Sequence, residues 1–385
     1  MMRQSWMPAF CYSMKRDTSF NNRRSWIVNR GWWIVDLRRT TNHDPRIGGY
    51  MKKIAGIMAL IALSVLLMSG CSRSEPPKAP DEVKLQLKWT HQAQFAGFYM
   101  AQEKGYYAEE NIKVTFLEGG QDVDITGRII SGKADFGVIS PDSLLIDRSR
   151  GVSVTALAAI YRRSAVVFVA KADSGIVRPS DFTGKTIAAA GEGGAREFML
   201  QLSAMMRKLK IDVSKIKIVP YDPAYVKFYS GETDITPTYY TGGLIKMREK
   251  GMKLNLIWPS DYGINFYSDT LVTSGKMISE NSDLVGRFMR ASLKGWQDAI
   301  EDYREAVAVT LKYAQNQDSD MQTAMMEAML PLVHTGEDRV GWMKPEIWHE
   351  MYGTLLDQGL LEKPFDVDQA YTMQFIKQIY GGKVE

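Results

Sequence analysis

The residues best suited to holding a ligand follow one strand-like segment near position 85. Val83, Leu85, Leu87 and Trp89 alternate with Lys84, Gln86 and Lys88, the period of two that marks a strand with one face in a core. The strand is expected to end at about Trp89, and Gln92 and Gln94 come directly after it. An aromatic plane beside two carboxamides offers stacking area together with donors and acceptors, which suits a flat, polar heterocycle. A core Trp followed by a polar turn is the competing reading of the same residues. Two further strand-like runs also finish in polar side chains, FGVIS at Ser140 and Asp142, and DITPT at Tyr239 and Tyr240. A third candidate is the turn containing Glu192, Gly193 and Gly194, which leads into a helix with Phe198, Leu202, Met205 and Leu209 on one face. Free N–H groups at such a helix start receive a carbonyl or anionic oxygen, while Glu192 and Glu197 suit an amino or ring N–H group. Glycine turns of this kind are common, however, and Glu197 is also an ordinary first-turn residue favoured by the helix dipole.

No catalytic set accompanies these residues. His91, His334 and His349 lie on unrelated segments, and HxH, HExxH and Asp-rich metal patterns are missing from the sequence. There is no G-x-S-x-G elbow for a nucleophilic serine, and Cys11 and Cys71 are the only cysteines. The expectation is a binding protein without cofactor or metal.

The elements that must position these side chains read as α/β. A helix-like run, FAGFYMAQEKG, follows the first strand and closes at Gly105. In open α/β sheets ligands sit beyond the carboxyl ends of the strands, where Trp89, Ser140 and Tyr239 would lie. An internal echo supports two similar lobes: SGKADFGVIS at 131–140 and SGETDITPTYY at 230–240 each place Ser-Gly, a variable residue, Ala or Thr, and Asp before a strand. The first lobe is assigned residues 83–172 and 269–385, the second 173–268, with crossovers near 170–178 and 267–274. From Ser282 the pattern is helical, and Trp296, Trp342 and Trp348 read as packing residues.

The first eighty residues read differently. Residues 1–50 carry four of the nine Trp and nine Lys/Arg against three Asp/Glu, without apolar periodicity. Met51-Lys52-Lys53, the apolar run IAGIMALIALSVLLMSG and Cys71 then have the layout of a secretory signal peptide, and LMSGC at 67–71 is similar to a lipoprotein cleavage box. The expectation is translation from Met51, with residues 1–50 an extension of the gene model, a signal peptide at 51–70 and lipidation at Cys71. The alternative, a membrane anchor from Ile54 to Met68, falls short of a bilayer core of about 30 Å at about 1.5 Å per residue. SRSEPPKAPDE at 72–82 reads as a tether. The chain's net charge of +4 belongs to this leader: residues 1–50 hold six excess cations and Lys52 and Lys53 two more, so residues 71–385 sum to −4. Nucleic acid, which needs concentrated cationic surface, is not an expected partner.

WTHQAQFAGFYMAQEKGYYAEENIKVTF, followed by GGQDVDITGRIISGKADFGVISPDSLL, resembles the NMT1/THI5-like family of periplasmic binding proteins, over roughly Val83 to Gly382. The resemblance implies a two-lobed periplasmic binding protein of type II, closing about a hinge of two crossovers and serving an ABC permease and ATPase. It implies as ligand a thiamine pyrimidine precursor, such as a formylaminopyrimidine or hydroxymethylpyrimidine, with riboflavin next. Alkanesulfonate and nitrate binders are cousins, but no Arg or Lys stands at the expected strand ends to meet such an anion; Arg162 and Arg163, near the hinge, keep that alternative open. Some eukaryotic relatives synthesise the pyrimidine with an iron-bearing, cysteine-rich loop, where this chain has Gly191-Glu192-Gly193-Gly194-Ala195-Arg196 and no cysteine. Similar domains also serve as sensors for signalling partners.

Overall fold

The computed structural model describes residues 56–58, 78–336 and 338–381. The chain divides into two compact units, residues 1–76 and 77–385, and the second contains all the strands and helices named below. The expected gene-model extension, the lipidation site Cys71 and most of the signal peptide and tether lie outside the described residues.

The first half of the second unit builds β1 (Asp81–Gln86), β2 (Ile112–Leu117), β3 (Phe136–Ile139) and β4 (Val154–Ala159). Between them lie α1 (Ala96–Glu103) and α2 (Pro141–Ser149). β1 is parallel to β2 and β3. The chain then forms β5 (Val166–Lys171), β6 (Thr186–Ala190), α3 (Arg196–Lys208), β7 (Lys217–Pro220), β8 (Ile235–Tyr239) and β9 (Leu254–Ile257) before returning as β10 (Thr270–Ser274). The first sheet has the order β2-β1-β3-β10-β4 and the second β7-β6-β8-β5-β9. In each sheet one strand runs against its neighbours, β10 between β3 and β4, and β5 between β8 and β9. Both are the first strand laid down after the chain has crossed from the other lobe. The two mixed sheets with flanking helices make the two-lobed α/β architecture expected from the sequence.

The expected first crossover is displaced. The sequence pattern places Val166–Lys171 in the first lobe, but the segment pairs with β8 and β9 of the second sheet, so the chain leaves the first sheet through residues 160–165. Five continuous buried residues, Val166–Ala170, say that a strand is covered on both faces and nothing about which sheet it joins. The return is complete by Thr270, where β10 begins. β1 also stops at Gln86, although Leu87 N–H still donates to Leu117 O at 2.8 Å.

The echoed Asp residues have matching duties. Asp135 Oδ2 accepts the backbone N–H of Lys84 at 2.8 Å, and Asp234 Oδ2 accepts that of Thr186 at the same distance. Each Asp also donates its own N–H to the carbonyl of that partner residue. Each sheet therefore fixes the register of its inner parallel strand by the same carboxylate clamp, in β1 and in β6.

Beyond β10, α4 (Ser282–Glu301), α5 (Ser319–Val333) and α6 (Pro345–Asp357) complete the first lobe. Trp296 and Trp348 are fully buried and Trp342 nearly so. The indole of Trp296 lies against Gly97 of α1, where an added Cβ would come within 2.1 Å of Cδ2. That glycine is what lets α1 and α4 approach closely.

Candidate ligand-binding site

The strand tips of both sheets converge on one buried ammonium group. Lys88 continues the polar side of the β1 alternation, yet it is only 3% exposed. Its Nζ lies 2.5 Å from Glu197 Oε1 on α3 and 3.2 Å from Asp269 Oδ1, one residue before β10. It also donates to the Tyr239 hydroxyl at 2.5 Å. Gln94 Nε2 donates to Asp269 Oδ2 at 2.6 Å, and Gln92 Nε2 donates to Gln94 Oε1 at 2.7 Å. Ser268 Oγ is 2.8 Å from the Tyr239 hydroxyl and donates to Glu197 Oε2 at 3.3 Å. The network thus joins the first lobe (Lys88, Gln94), the second lobe (Glu197, Tyr239) and the returning segment (Ser268, Asp269).

Burial sets the protonation of this group. Removal from water pushes the Glu197 carboxyl up to about 7, more than the attraction of Lys88 lowers it, and Asp142 raises it further. Burial alone would lower Lys88, but Glu197 and Asp269 outweigh it and hold the ammonium above its ordinary pKa. Lys88 itself is engaged by two carboxylates and offers no free charge to a sulfonate or nitrate; Lys246 also borders the smaller of the two cavities beside it.

Because Glu197 binds its proton more tightly in the folded chain, stability from this group falls as pH rises from about 4.5 to about 7. Glu197→Gln is expected to flatten that slope. Melting temperatures of both proteins from about pH 5 to 7.5 check this; parallel curves would mean that Glu197 titrates as an ordinary carboxyl.

Two cavities flank Lys88. The smaller, about 70 Å³, is lined by Trp89, Gln92 and Gln94 from the first lobe and by Gly194, Phe198, Tyr221, Tyr225 and Tyr239 from the second. Phe198 and Tyr221 have ring centroids 4.8 Å apart, and Trp89 meets Tyr221 edge-on at 6.4 Å. The larger, about 500 Å³, is mixed, with Asp122, Asp124, Asp147, Glu192 and Arg196 beside Ser140, Ser143, Ile125, Ile130, Ile139 and Val152 on its walls. Arg196 and Asp147 close one side with a 2.7 Å ion pair between the lobes. A cavity of about 150 Å³ accepts benzene, so a heterocycle in the smaller space requires its aromatic side-chain walls to shift outward.

The structure therefore brings Trp89, Gln92, Gln94, Gly194 and Tyr239 around one cavity, and Ser140, Glu192 and Gly193 around the other. Asp142 lines neither. It is fully buried at the start of α2, accepts the Ser143 N–H at 2.7 Å through Oδ1, and is raised by burial. Tyr240 faces elsewhere, edge-on against Trp258 with centroids 5.3 Å apart, because successive residues at a strand end point to opposite sides. Arg162 and Arg163 line that same separate region and not the cleft.

The glycine turn also has a different use from the one expected. Gly194 N–H donates to Gly120 O of the first lobe at 3.1 Å, so it is engaged by protein. A Cβ on Gly194 would come within 2.3 Å of Lys88 O, and one on Gly193 within 2.4 Å of Val123 O. The turn is glycine because two backbones touch there.

The sequence reading missed Lys88, Phe198, Tyr221, Tyr225, Ser268 and Asp269 as members of the site. The signal for Lys88 was its place at the carboxyl tip of β1. For Ser268 and Asp269 it was polar chain directly ahead of a strand that crosses between lobes.

Two sheets of matching strand order, two crossing segments and an aromatic cleft between them define a two-lobed solute-binding protein. The chain belongs to the NMT1/THI5 like family, whose sequence profile matches residues 92–306. It is 27% identical over 348 residues to the riboflavin-binding protein RibY of Chloroflexus aurantiacus, covering 83% of this chain and 97% of that protein. It is 24% identical over 336 residues to the formylaminopyrimidine-binding protein of Halalkalibacterium halodurans, covering 84% and 99%. At 21% identity over 313 residues, 76% of this chain and 92% of the relative, it also resembles the 4-amino-5-hydroxymethyl-2-methylpyrimidine phosphate synthase of Legionella pneumophila. Among solved structures, the periplasmic aliphatic sulphonate binding protein SsuA of Escherichia coli superposes with a TM-score of 0.60 at 12% identity, over 76% of this chain and 92% of that one. That last likeness is one of fold.

Proposed function

We propose that the protein captures a small aromatic heterocycle between its lobes and releases it to an ABC permease and its ATPase, without altering it chemically. The observation that carries this reading is the cavity in which Trp89 of one lobe faces Phe198 and Tyr221 of the other, beside the amides of Gln92 and Gln94. Such walls supply stacking, and the carboxamides and Tyr239 supply directional hydrogen bonds. Ligand binding draws the lobes together, and the permease distinguishes the closed form. A thiamine pyrimidine precursor is the proposed ligand, in keeping with the formylaminopyrimidine-binding relative. Riboflavin is the second reading, favoured by the RibY relative and by the adjoining cavity, whose volume and hydrogen-bonding side chains suit a hydroxylated chain. The proposed location is the extracytoplasmic face of the cell membrane, with Cys71 as lipid anchor. Among the described residues no helix is long and apolar enough to cross a membrane.

Native mass spectrometry of freshly purified protein identifies a carried pyrimidine or flavin. Calorimetric titration of formylaminopyrimidine, hydroxymethylpyrimidine and riboflavin then ranks them. Trp89→Ala should weaken the best of these by about 1–3 kcal/mol, the scale of a buried aromatic contact. Equal affinity in the variant would remove Trp89 from the site, and failure of all three compounds to bind would remove the ligand class.

A further inference from the structure

A relay of amide hydrogen bonds runs from the buried centre of the cleft to the wall of its smaller cavity. It starts at Asp269, 1% exposed, whose Oδ1 lies 3.2 Å from the Lys88 ammonium. A carboxylate paired with an ammonium offers only lone pairs, so the group that meets its other oxygen must donate. Gln94, itself buried, does so through Nε2, 2.6 Å from Asp269 Oδ2. That fixes which end of the Gln94 amide is nitrogen, and its Oε1 is left to accept Gln92 Nε2 at 2.7 Å. Turning either amide over would set two acceptors face to face, oxygen against carboxylate at Gln94 or oxygen against oxygen at Gln92.

The turn that carries both glutamines is pinned as well. Ala93 N–H donates to Gln322 Oε1 at 2.8 Å, and Gln322, buried on α5, is oriented by its own Nε2–H on Asn316 O at 3.0 Å. Phe95 N–H donates to Gln92 O at 3.1 Å. Gln92 ends the relay: it is half-buried, lines the smaller cavity, and its Oε1 has no partner among the described residues. Lys246, which is exposed, and the Tyr221 hydroxyl, 3.0 Å from that of Tyr225, border the same cavity. The first swings on a long stem and the second donates or accepts, so neither sets the polarity of a ligand edge as Gln92 does.

We infer that Gln92 selects the ligand by hydrogen-bond polarity, its Oε1 accepting from an N–H on the edge of the ring. The ligand class is then a heterocycle with an exocyclic amino group or a lactam N–H, and a ring whose matching edge carries acceptors alone is penalised. The second Nε2–H of Gln92 is left for an acceptor beside that N–H, the two contacts by which a carboxamide reads an amino group next to a ring nitrogen. An unrestrained carboxamide serves both kinds of edge, because it turns over to present oxygen or nitrogen; one whose nitrogen is committed through Gln94 to Asp269 does not. Gln94 acts through Gln92 and is a positioning residue. The inference rests on the reading that the cleft receives a heterocycle, and narrows which heterocycles qualify.

Calorimetric titration of the full protein with matched ligand pairs tests it. Hydroxymethylpyrimidine is compared with its analogue carrying methoxy in place of the amino group, and riboflavin with 3-methylriboflavin, so that each pair differs in one N–H donor. In whichever pair binds, the donor-bearing member is expected to bind at least about tenfold more tightly. Gln92→Leu, at a half-exposed position, should bring that ratio down to about threefold or less. Gln94→Leu should do the same with Gln92 intact, because the Gln92 amide is then free to turn; a merely structural loss would weaken both members alike and leave the ratio as it was. A parent ratio under about tenfold, or a ratio unchanged in either variant, would overturn the inference and leave the heterocycle reading standing. Failure of both pairs to bind would remove that reading and the inference with it.

Discussion

Lys88→Met is expected to destabilise the protein by about 3–5 kcal/mol, because it leaves two carboxylates buried with no cation between them. Glu197 and Asp269 are each 1% exposed, and Lys88 is the ammonium that both contact. Methionine keeps the length of the stem and removes the charge, so lost packing contributes little. Glu197 would respond by holding its proton to still higher pH, and the lobes would part to admit water. Urea denaturation measures the loss. A second variant, Lys88→Met with Glu197→Gln, removes one of the stranded charges and should recover about half of the deficit. A single variant within about 1 kcal/mol of the parent would mean that the carboxylates are hydrated and the ion pair is not the floor of the site.

Gly194→Ala is expected to abolish closure while leaving each lobe folded. The added methyl would lie 2.3 Å from Lys88 O and 3.0 Å from Trp89 Cε3, and the first of these is backbone that cannot rotate away. Since ligand affinity depends on the fraction of molecules able to close, binding should weaken by about 100-fold or more, near 3 kcal/mol. Small-angle scattering with saturating ligand should show a more extended particle than the parent, with little change in melting temperature. Unchanged affinity together with an unchanged radius would show that the contact between Gly194 and the first lobe is not part of the bound form.

The legible parts of the sequence were those where local pattern and tertiary role coincide. The Ser-Gly-x-Ala/Thr-Asp echo marked two equivalent central strands, because the Asp clamps its neighbour in both sheets. Trp89, Gln92 and Gln94 were legible because chain emerging from a parallel strand tip reaches the cleft whatever the rest of the fold does. What stayed hidden depended on the partner lobe. Lys84, Gln86 and Lys88 form one polar stripe, and alternation alone turns such a stripe toward water. Only Lys84 is exposed; Gln86 is fully buried, its amide donating to Leu117 O and Glu118 O while its carbonyl accepts from Arg128. The polar side of β1 runs from solvent into the gap between lobes, and no window of one strand contains that second surface. Asp269 and Tyr221 were missed for the same reason: each acquires its role from a residue more than a hundred positions away.

The meeting of Gly120 with Gly194 separates two tasks that many receptors mix. There the lobes meet through main chain, Gly194 N–H on Gly120 O, whereas the proposed guest is met by side chains. Trp89, Phe198 or Tyr221 can therefore be exchanged to suit a different heterocycle without redesigning the clasp. A lineage built on this scaffold is free to change its cargo and keep its catch.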